Sequence, residues 1–328
     1  MRVAPALLAL LALLAAGAAG CDGNGGEEPL LRRGPHGSLR DLVLFDRGAA
    51  GGGPLFLDRF EVTRGDWAEF ATTAAGRAAG AAPLPALRGD EAVLPMAFVD
   101  LTQARAFARW RRCRLPRSDE WTFACTTDGK DTYPWGSLPD AARANTSDLG
   151  VFAPLPVGTF ESGRNGDGPY DLIGNVSEWT ETVPASWFHA RREALPPVRV
   201  ALGRLRRAVA LTLWSPLPEL PPLAFAIAAA GDLAPREVLG ADFATSMREG
   251  PQLRAPGERS SALGLRLCTT PQELLTALAG DLAALDGEGL QQLRAFARRP
   301  GHAAALRQAL PAAQLSPAAR ARFEALLP

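Results

Sequence analysis

The stretch from Gly168 to Trp179 constrains the fold more tightly than any other part of this sequence. Gly168 and Gly174 suit a backbone that turns sharply or adopts positive φ. Asp171 and Glu178 lie close enough in sequence for both carboxylates to converge on one hard cation if the chain loops between them. Trp179 is too large to leave in water, so we expect the loop to form a corner of the core as well.

Spacing alone leaves two interpretations of this stretch open. The first is a calcium site, because calcium takes about six to eight oxygen ligands and carbonyls of the intervening Gly and Val residues can add to the two carboxylates. The second is an ordinary turn that is capped by Asn and Asp side chains.

The composition favours an irregular, loop-rich fold over a helical bundle. The chain has 33 Gly and 28 Pro residues, together 61 of 328. This length allows one or two domains with a sizeable core. Lys plus Arg and Asp plus Glu balance at 35 each, so the charge gives no indication of nucleic-acid binding.

Residues 1–20 have the pattern of an export signal. Arg2 precedes an apolar run over residues 3–20, and small residues lead directly to Cys21. This pattern resembles a bacterial lipobox, so we expect an acylated Cys21 that anchors the protein in a lipid bilayer of the bacterial cell envelope. An uncleaved anchor helix is the alternative. Residues 21–40 are rich in Gly, Glu and Arg and predict a flexible tether.

The rest of the chain predicts short strands interspersed with capped helices. Strands are expected near residues 42–45, 54–63 and 94–99. Candidate helix N-caps are Thr63, Thr102, Ser118, Thr270 and Ser316. The last two begin a helical tail over residues 270–328, whose leucines recur at helical spacing. The tail is either a small HEAT-like appendage or a cap that is docked on the main domain.

Eight short motifs occur in order along the chain. They are Phe60–Thr63; Leu94-Pro95 with Asp100–Trp110; Arg114–Pro116 with Glu120-Trp121; Tyr133–Gly136; Ala144-Asn145; Pro156–Phe160; Tyr170–Trp179; and Gly264–Arg266. Each motif is weak alone. In this order they resemble the formylglycine-generating enzyme family, also called the sulfatase-modifying factor domain family, over roughly residues 40–268.

The resemblance implies an α+β fold, irregular and C-type-lectin-like, over residues 41–269. Residues 184–237 are then an insertion, and either a partner-binding flap or loops packed on the core. The helical tail follows as a C-terminal appendage.

The resemblance also implies a calcium site. In the family, an acid or amide matching Asp171 and a carboxylate matching Glu178 are ligands, and carbonyls matching Gly174 and Val176 complete the site. A second family site uses the residue matching Asn145. We expect that second site to be incomplete, because the segment after Asn145 is short and offers no obvious second ligand.

Formylglycine-generating enzymes oxidise a sulfatase cysteine with copper that two thiolates hold. Those thiolates lie between the segments that match residues 239–243 and 264–266 here. Residues 244–263 contain no cysteine. Copper(I) needs soft ligands, which carboxylates and amides do not replace, so we expect neither copper nor formylglycine generation.

Iron is not expected either. Another branch of the superfamily binds iron through histidines, but His36, His189 and His302 are the only histidines here, and they are far apart in sequence. Surface positions are the simpler interpretation of all three.

The remaining cysteines are assigned through the same resemblance. It implies a disulfide between Cys125 and Cys268, although Cys268 lies one residue beyond the matching position. Cys113 is then left as a buried free thiol.

The sequence therefore favours a membrane-anchored member of this family that lacks the oxidase activity. Such a protein would act as a binding or scaffold module for an envelope protein or a glycan. The alternative is a divergent metal-dependent oxidoreductase of the same superfamily.

Overall fold

The computed structural model describes residues 41–48, 51–126, 130–166, 168–184, 234–279 and 287–328. The predicted export signal, the acylated Cys21 and the tether lie outside these residues, as does most of the predicted insertion. No helix in the described part of the chain is long and apolar enough to cross a bilayer.

The described chain mixes short strands with helices, which confirms the predicted α+β class. The strands are β1 (Leu42–Asp46), β2 (Pro54–Asp58), β3 (Ser177–Trp179), β4 (Arg236–Leu239), β5 (Gln252–Arg254), β6 (Leu263–Gly264) and β7 (Cys268–Thr269). The helices are α1 (Arg64–Thr72), α2 (Ala74–Ala78), α3 (Leu101–Trp110), α4 (Ser118–Cys125), α5 (Pro271–Ala279), α6 (Gly287–Ala297), α7 (His302–Ala309) and α8 (Pro317–Leu326).

The strands form two small sheets. The first has the order β1-β2-β7 and is antiparallel throughout, with Leu57 opposite Cys268. The second has the order β5-β4-β3-β6, in which β3 pairs antiparallel with β4 and parallel with β6. Only residues 265–267 separate β6 from β7, so this short connection links the two sheets.

The predicted strand over residues 94–99 is not formed. The segment makes only single bridges, Thr63 with Pro95 and Ala97 with Gly264. Pro95 has no N–H to donate to a ladder. Phe98 adopts a φ of 63°, which is incompatible with extended pairing.

Two of the five predicted N-caps are displaced. Thr63 and Asp66 form the capping box of α1 as expected. The cap of α3, however, is Asp100 and not Thr102, and its carboxylate accepts from the N–H of Gln103 at 2.9 Å. The N–H of Leu101, which has no partner within the helix, is bonded to the carbonyl of Pro256.

Helix α4 begins one residue earlier than a Ser118 cap requires. Ser118 is the first helical residue, and its neighbour Arg117 occupies the N-cap position. The carboxylate of Glu120 satisfies the Arg117 N–H at 2.9 Å. A side chain in the first turn therefore supplies the cap that Ser118 was predicted to supply.

The main core lies between the first helices and the second sheet. The rings of Trp67, Phe70, Phe107 and Trp110 contact one another from α1 and α3, with centroids 5.2 to 5.7 Å apart. Trp179 is fully buried, and its indole N–H donates to the carbonyl of Val99 at 2.8 Å. The loop that ends at Trp179 is thus a corner of the core, as the sequence predicts.

The C-terminal helices share a hydrophobic core with the first sheet, which fits the docked cap rather than a separate appendage. Leu42 of β1 and Phe56 of β2 belong to the same buried cluster as Phe296 and Phe323 of the tail. The predicted caps at Thr270 and Ser316 are both present. We call helices α5 to α8 the C-terminal cap.

Candidate functional site

The loop from residue 168 to 179 is held in place by the backbone of Asn145. Gly174 has a φ of 89°, and a Cβ there would lie 2.6 Å from the Asn145 carbonyl oxygen, so the close approach requires glycine. The N–H of Asn175 donates to that same carbonyl at 2.7 Å. Asp171 and Asn175 also adopt positive φ, at 55° and 62°. The two predicted calcium segments therefore meet in space.

A fully buried ion pair lies beneath this loop. Arg266 donates to both carboxylate oxygens of Glu178, at distances from 2.7 to 3.2 Å, and both side chains are at most 1% exposed. Trp121 donates its indole N–H to Glu178 Oε2 at 2.7 Å. The remaining donors of Arg266 reach the carbonyls of Asp58 and Tyr170. One guanidinium thus connects three separate segments.

Glu61 is a further buried carboxylate, and it is not among the residues that the sequence predicts for the site. Its two oxygens accept from the Val176 N–H at 3.0 Å and from the Asn175 side-chain amide at 2.7 Å. The Asn175 amide oxygen accepts in turn from Asn145 and from the Leu155 N–H. The only sequence signal for Glu61 is its place in the Phe60–Thr63 motif.

Carboxylates outnumber guanidinium groups in this buried cluster. Burial raises the pKa of Asp171 to about 6, although its hydrogen bond from the Gly158 N–H lowers it. Burial also raises the pKa of Glu61 well above its usual range, and the charges of Asp171 and Glu178 add to the shift. With Arg266 as the cation of the cluster, full ionisation would leave excess negative charge, which protons or a bound cation can neutralise.

The side-chain oxygens of this cluster are of the kind that binds a hard cation, but those of Glu178 are already engaged. Asn145 Oδ1 is buried without a hydrogen-bond partner, and Asp171 Oδ2 accepts from the Gly158 N–H. Glu178, by contrast, already gives both oxygens to Arg266 and Trp121, so it would have to share them. No three His, Cys, Asp or Glu side chains among the described residues are grouped as a metal site.

Asn145 joins the Asn175 network and does not meet an acid from its own loop. Asp148, the acid in the segment that follows, accepts instead from Ser246 Oγ at 3.0 Å and from the Met247 N–H at 2.8 Å. Asp148 is therefore engaged by residues 246 and 247, and the incompleteness of the second site stays a prediction.

Residues 242–247 form a turn beside β3. Asp242 accepts from the Ala244 N–H at 2.9 Å and from the Ser177 hydroxyl at 3.0 Å. The carbonyl of Thr245 accepts from the N–H of Ser147 at 2.9 Å. Met247 is 5% exposed. This turn offers hydroxyls, a carboxylate and a buried thioether, but no thiol.

The predicted disulfide between Cys125 and Cys268 is not formed, and both thiols are free. They belong to one apolar cluster, but Cys268 is paired in β7 and its sulfur accepts from Arg114 Nη1 at 3.0 Å. Burial raises the pKa of both thiols above the ordinary value, so neither is a ready nucleophile.

Cys113 is half-buried and lies outside the loop site, in a cleft between the end of α3 and the C-terminal cap. The cleft is open and holds about 700 Å³. Its lining includes Arg109, Arg112, Gln272 and Thr276. The described thiols therefore lie in the core or at this cleft, in segments other than the 242–247 turn.

Comparison with known proteins identifies the family to which this chain is similar. The model of the sulfatase-modifying factor enzyme 1-like domain matches residues 52–269. Hercynine oxygenase from Mycolicibacterium smegmatis is 39% identical over 106 residues, which cover 30% of this chain and 23% of that protein. The inactive C-alpha-formylglycine-generating enzyme 2 of Bos taurus is 35% identical over 118 residues, or 33% of this chain and 38% of that protein.

Both matches span well under two thirds of the relatives' own length. Among solved structures, the Treponema denticola variable protein 1 aligns with a TM-score of 0.44 at 18% identity. That alignment covers 66% of this chain and 84% of the other.

The buried ion pair leads to a stability prediction. Replacing Arg266 by glutamine removes the guanidinium that offsets the buried carboxylates, so we expect a loss of about 3–5 kcal/mol in the free energy of unfolding. The loss should shrink as the pH falls, since the carboxylates then take up protons. Urea unfolding at several pH values measures both effects.

Arg254→Gln is the matched control, because Arg254 pairs with Glu258 at the surface with side chains 32% and 36% exposed. We expect a change of less than about 1 kcal/mol there. Equal losses in the two variants would contradict a central role for Arg266.

Proposed function

Because this chain belongs to the sulfatase-modifying factor enzyme 1-like domain family, we propose that it is a member without formylglycine-generating activity, which serves as a binding or scaffold module at a bacterial cell envelope. The observation that carries the proposal is the absence of cysteine from residues 244–263. An envelope protein or a glycan is the kind of partner that such a module would bind.

The missing thiols bear directly on the chemistry. Two anionic sulfurs are suited to hold copper(I), and the turn over residues 242–247 offers in their place the hydroxyls of Thr245 and Ser246 and the thioether of Met247. A single neutral thioether is a poor replacement for two thiolates. The bovine relative is named as an inactive enzyme, and its match to this chain over 118 residues supports this interpretation.

A divergent metal-dependent oxidoreductase is the second candidate, and the hercynine oxygenase relative favours it. In this chain, however, His302 is buried in the C-terminal cap, away from the loop site. His36 and His189 lie outside the described residues. An iron centre of histidines would therefore have to form without His302.

Anchoring in the envelope is proposed on the sequence alone. Small residues before Cys21, after an apolar run, are the pattern that supports acylation of Cys21. The lipid would keep the module at a membrane surface, and residues 21–40 would set its reach.

Calcium is proposed as a structural ion of the same module. Asp171 would be a ligand, with carbonyls of Gly174 and Val176 and a shared Glu178. The buried negative charge of the cluster and the unpartnered Asn145 Oδ1 support a cation there.

The first prediction of this proposal is that the protein does not make formylglycine. Purified protein, copper, oxygen and a sulfatase-type Cys peptide are incubated together, and mass spectrometry looks for the aldehyde. We expect none, while an active family member converts the peptide in parallel. Conversion that Cys113→Ser or Cys268→Ser abolishes would overturn the proposal, and iron-dependent turnover of hercynine would support the second candidate instead.

The second prediction concerns Cys21. The native protein should partition into detergent with a lipid-modified N-terminus, and Cys21→Ser should leave an uncleaved or mislocalised precursor. Mass spectrometry of the mature N-terminus checks this. Unchanged processing of the variant would rule out acylation at this residue.

The third prediction concerns calcium. Chelation should lower the melting temperature, because an ion bound only to the native state stabilises it by mass action. Without calcium, stability should fall as the pH rises from about 4 to about 6, since the raised pKa of Asp171 makes its ionisation costly in the folded state. Calcium should oppose that fall, as it binds the ionised carboxylate.

Asp171→Ala should remove the chelator effect, and Asp140→Ala should retain it, because Asp140 lies at the surface in an ion pair with Arg143. A wild-type protein whose melting temperature ignores chelator would show that the loop is an ordinary turn.

A further inference from the structure

His302 lies at the contact between the C-terminal cap and the first sheet. It is the first residue of α7 and is 6% exposed. Its ring centroid is 5.2 Å from that of Phe56 on β2 and 4.6 Å from that of Phe296 on α6. An ionisable ring is therefore enclosed between two aromatic rings, one from each side of the contact.

The hydrogen bonds of His302 suit the neutral ring. Nδ1 lies 3.1 Å from the carbonyl oxygen of Pro300, to which it donates in the neutral tautomer that carries its proton there. Nε2 is buried and has no hydrogen-bond partner. Protonation would place a positive charge in this buried site, which is costly without a carboxylate partner.

The charged groups around the ring do not favour its protonation. Arg299 lies beside it and donates from Nη1 to the carbonyl of Leu42 at 3.1 Å. Burial lowers the pKa of His302, and the charge of Arg299 lowers it further, although hydrogen bonds to the backbone of Pro300 and Leu42 oppose the shift. Asp41 and Arg59, at the adjoining ends of the first two strands, act on Arg299.

No carboxylate on the neighbouring elements supplies a counter-charge to the ring in the described chain. The neighbouring helices contribute apolar side chains to the cluster, such as Leu274 from α5, Leu306 from α7 and Phe323 from α8. Asp58 shares the Phe56 face of β2, but burial raises its pKa to about 7, so it is largely neutral in acid. The attraction between a charged imidazole and the two phenylalanine rings is weak compared with the hydration that the imidazole loses on burial.

We propose that His302 is an acid-sensitive latch, whose protonation releases the C-terminal cap from the first sheet. The neutral ring completes the core that holds the cap in place. The charged ring is better accommodated in water, which it reaches only when α7 moves away from Phe56. Release would uncover Leu42 and Phe56, so acid would expose an apolar face that neutral pH conceals.

The direction of the effect follows from the lowered pKa. The docked state is fully stabilised above the ordinary histidine value of about 6.5, and stability is lost as the pH falls below it. Asp58 acts in the opposite direction on the folded main domain, because its raised pKa favours the folded state in acid. The Arg114–Glu273 ion pair also joins the cap to the main domain, so comparison with His302→Leu identifies the group responsible for an opening in acid.

Hydrogen exchange of the full chain, followed by mass spectrometry, tests the proposal. Between neutral pH and mild acid, after correction for intrinsic exchange rates, amides of α5 to α8 should lose protection relative to those of α1 and α3. The open population should rise by up to about tenfold per pH unit, the limit for a single proton.

His302→Leu should keep the protection at neutral pH and remove the acid response, while Asp58→Asn should keep the acid response. Unchanged protection of the wild-type cap in acid would overturn the proposal, as would the same opening in His302→Leu. If His302→Leu does not fold, the wild-type opening must still follow a one-proton titration below about 6.5, and any other profile contradicts the latch.

Discussion

The buried pair of Arg266 and Glu178 is the interaction on which the rest of the structure depends. Arg266 donates to Glu178 and to the carbonyls of Asp58 and Tyr170. It therefore joins the second sheet, the first sheet and the loop from residue 168 to 179. Charged hydrogen bonds of this kind are strong where water is absent, but they cost desolvation unless every donor is used. Here the Trp121 indole completes the shell of the carboxylate.

Strand β3 lies between the Arg266–Glu178 ion pair, which maintains the fold, and the turn over residues 242–247. Glu178 turns towards Arg266, whereas its neighbour Ser177 turns towards Asp242 and the 242–247 turn. Successive residues of a strand point to opposite faces. Residues 242–247 can therefore differ from one family member to another without disturbing the ion pair behind them.

Local chemistry is what the sequence predicts well. Gly174 takes positive φ, the Thr63 and Asp66 capping box forms, and Ser316 caps the last helix, because each depends on residues within a few positions. The family motifs in order predict the α+β fold. These features need no knowledge of what is distant in the chain.

Long-range contacts decide the features that the sequence misassigns. Helix α3 is capped by Asp100 and not by Thr102, and the Asp100 carboxylate also pairs with the distant Arg259. Cys268 is paired by strand register with Leu57, and its thiol turns to Arg114. Glu61 finds its partners more than a hundred residues later, and no periodicity indicates them.

The core that the first hairpin shares with the last helix has a consequence for biosynthesis. Strands β1 and β2 are synthesised long before their partner strand β7 and the apolar side chains of α5 to α8. Contacts of such long sequence separation form slowly, and the incomplete hairpin exposes Leu42 and Phe56 meanwhile. Folding of the hairpin is thus coupled to the synthesis of α5 to α8, and a chaperone that shields the hairpin would limit aggregation until α8 is made.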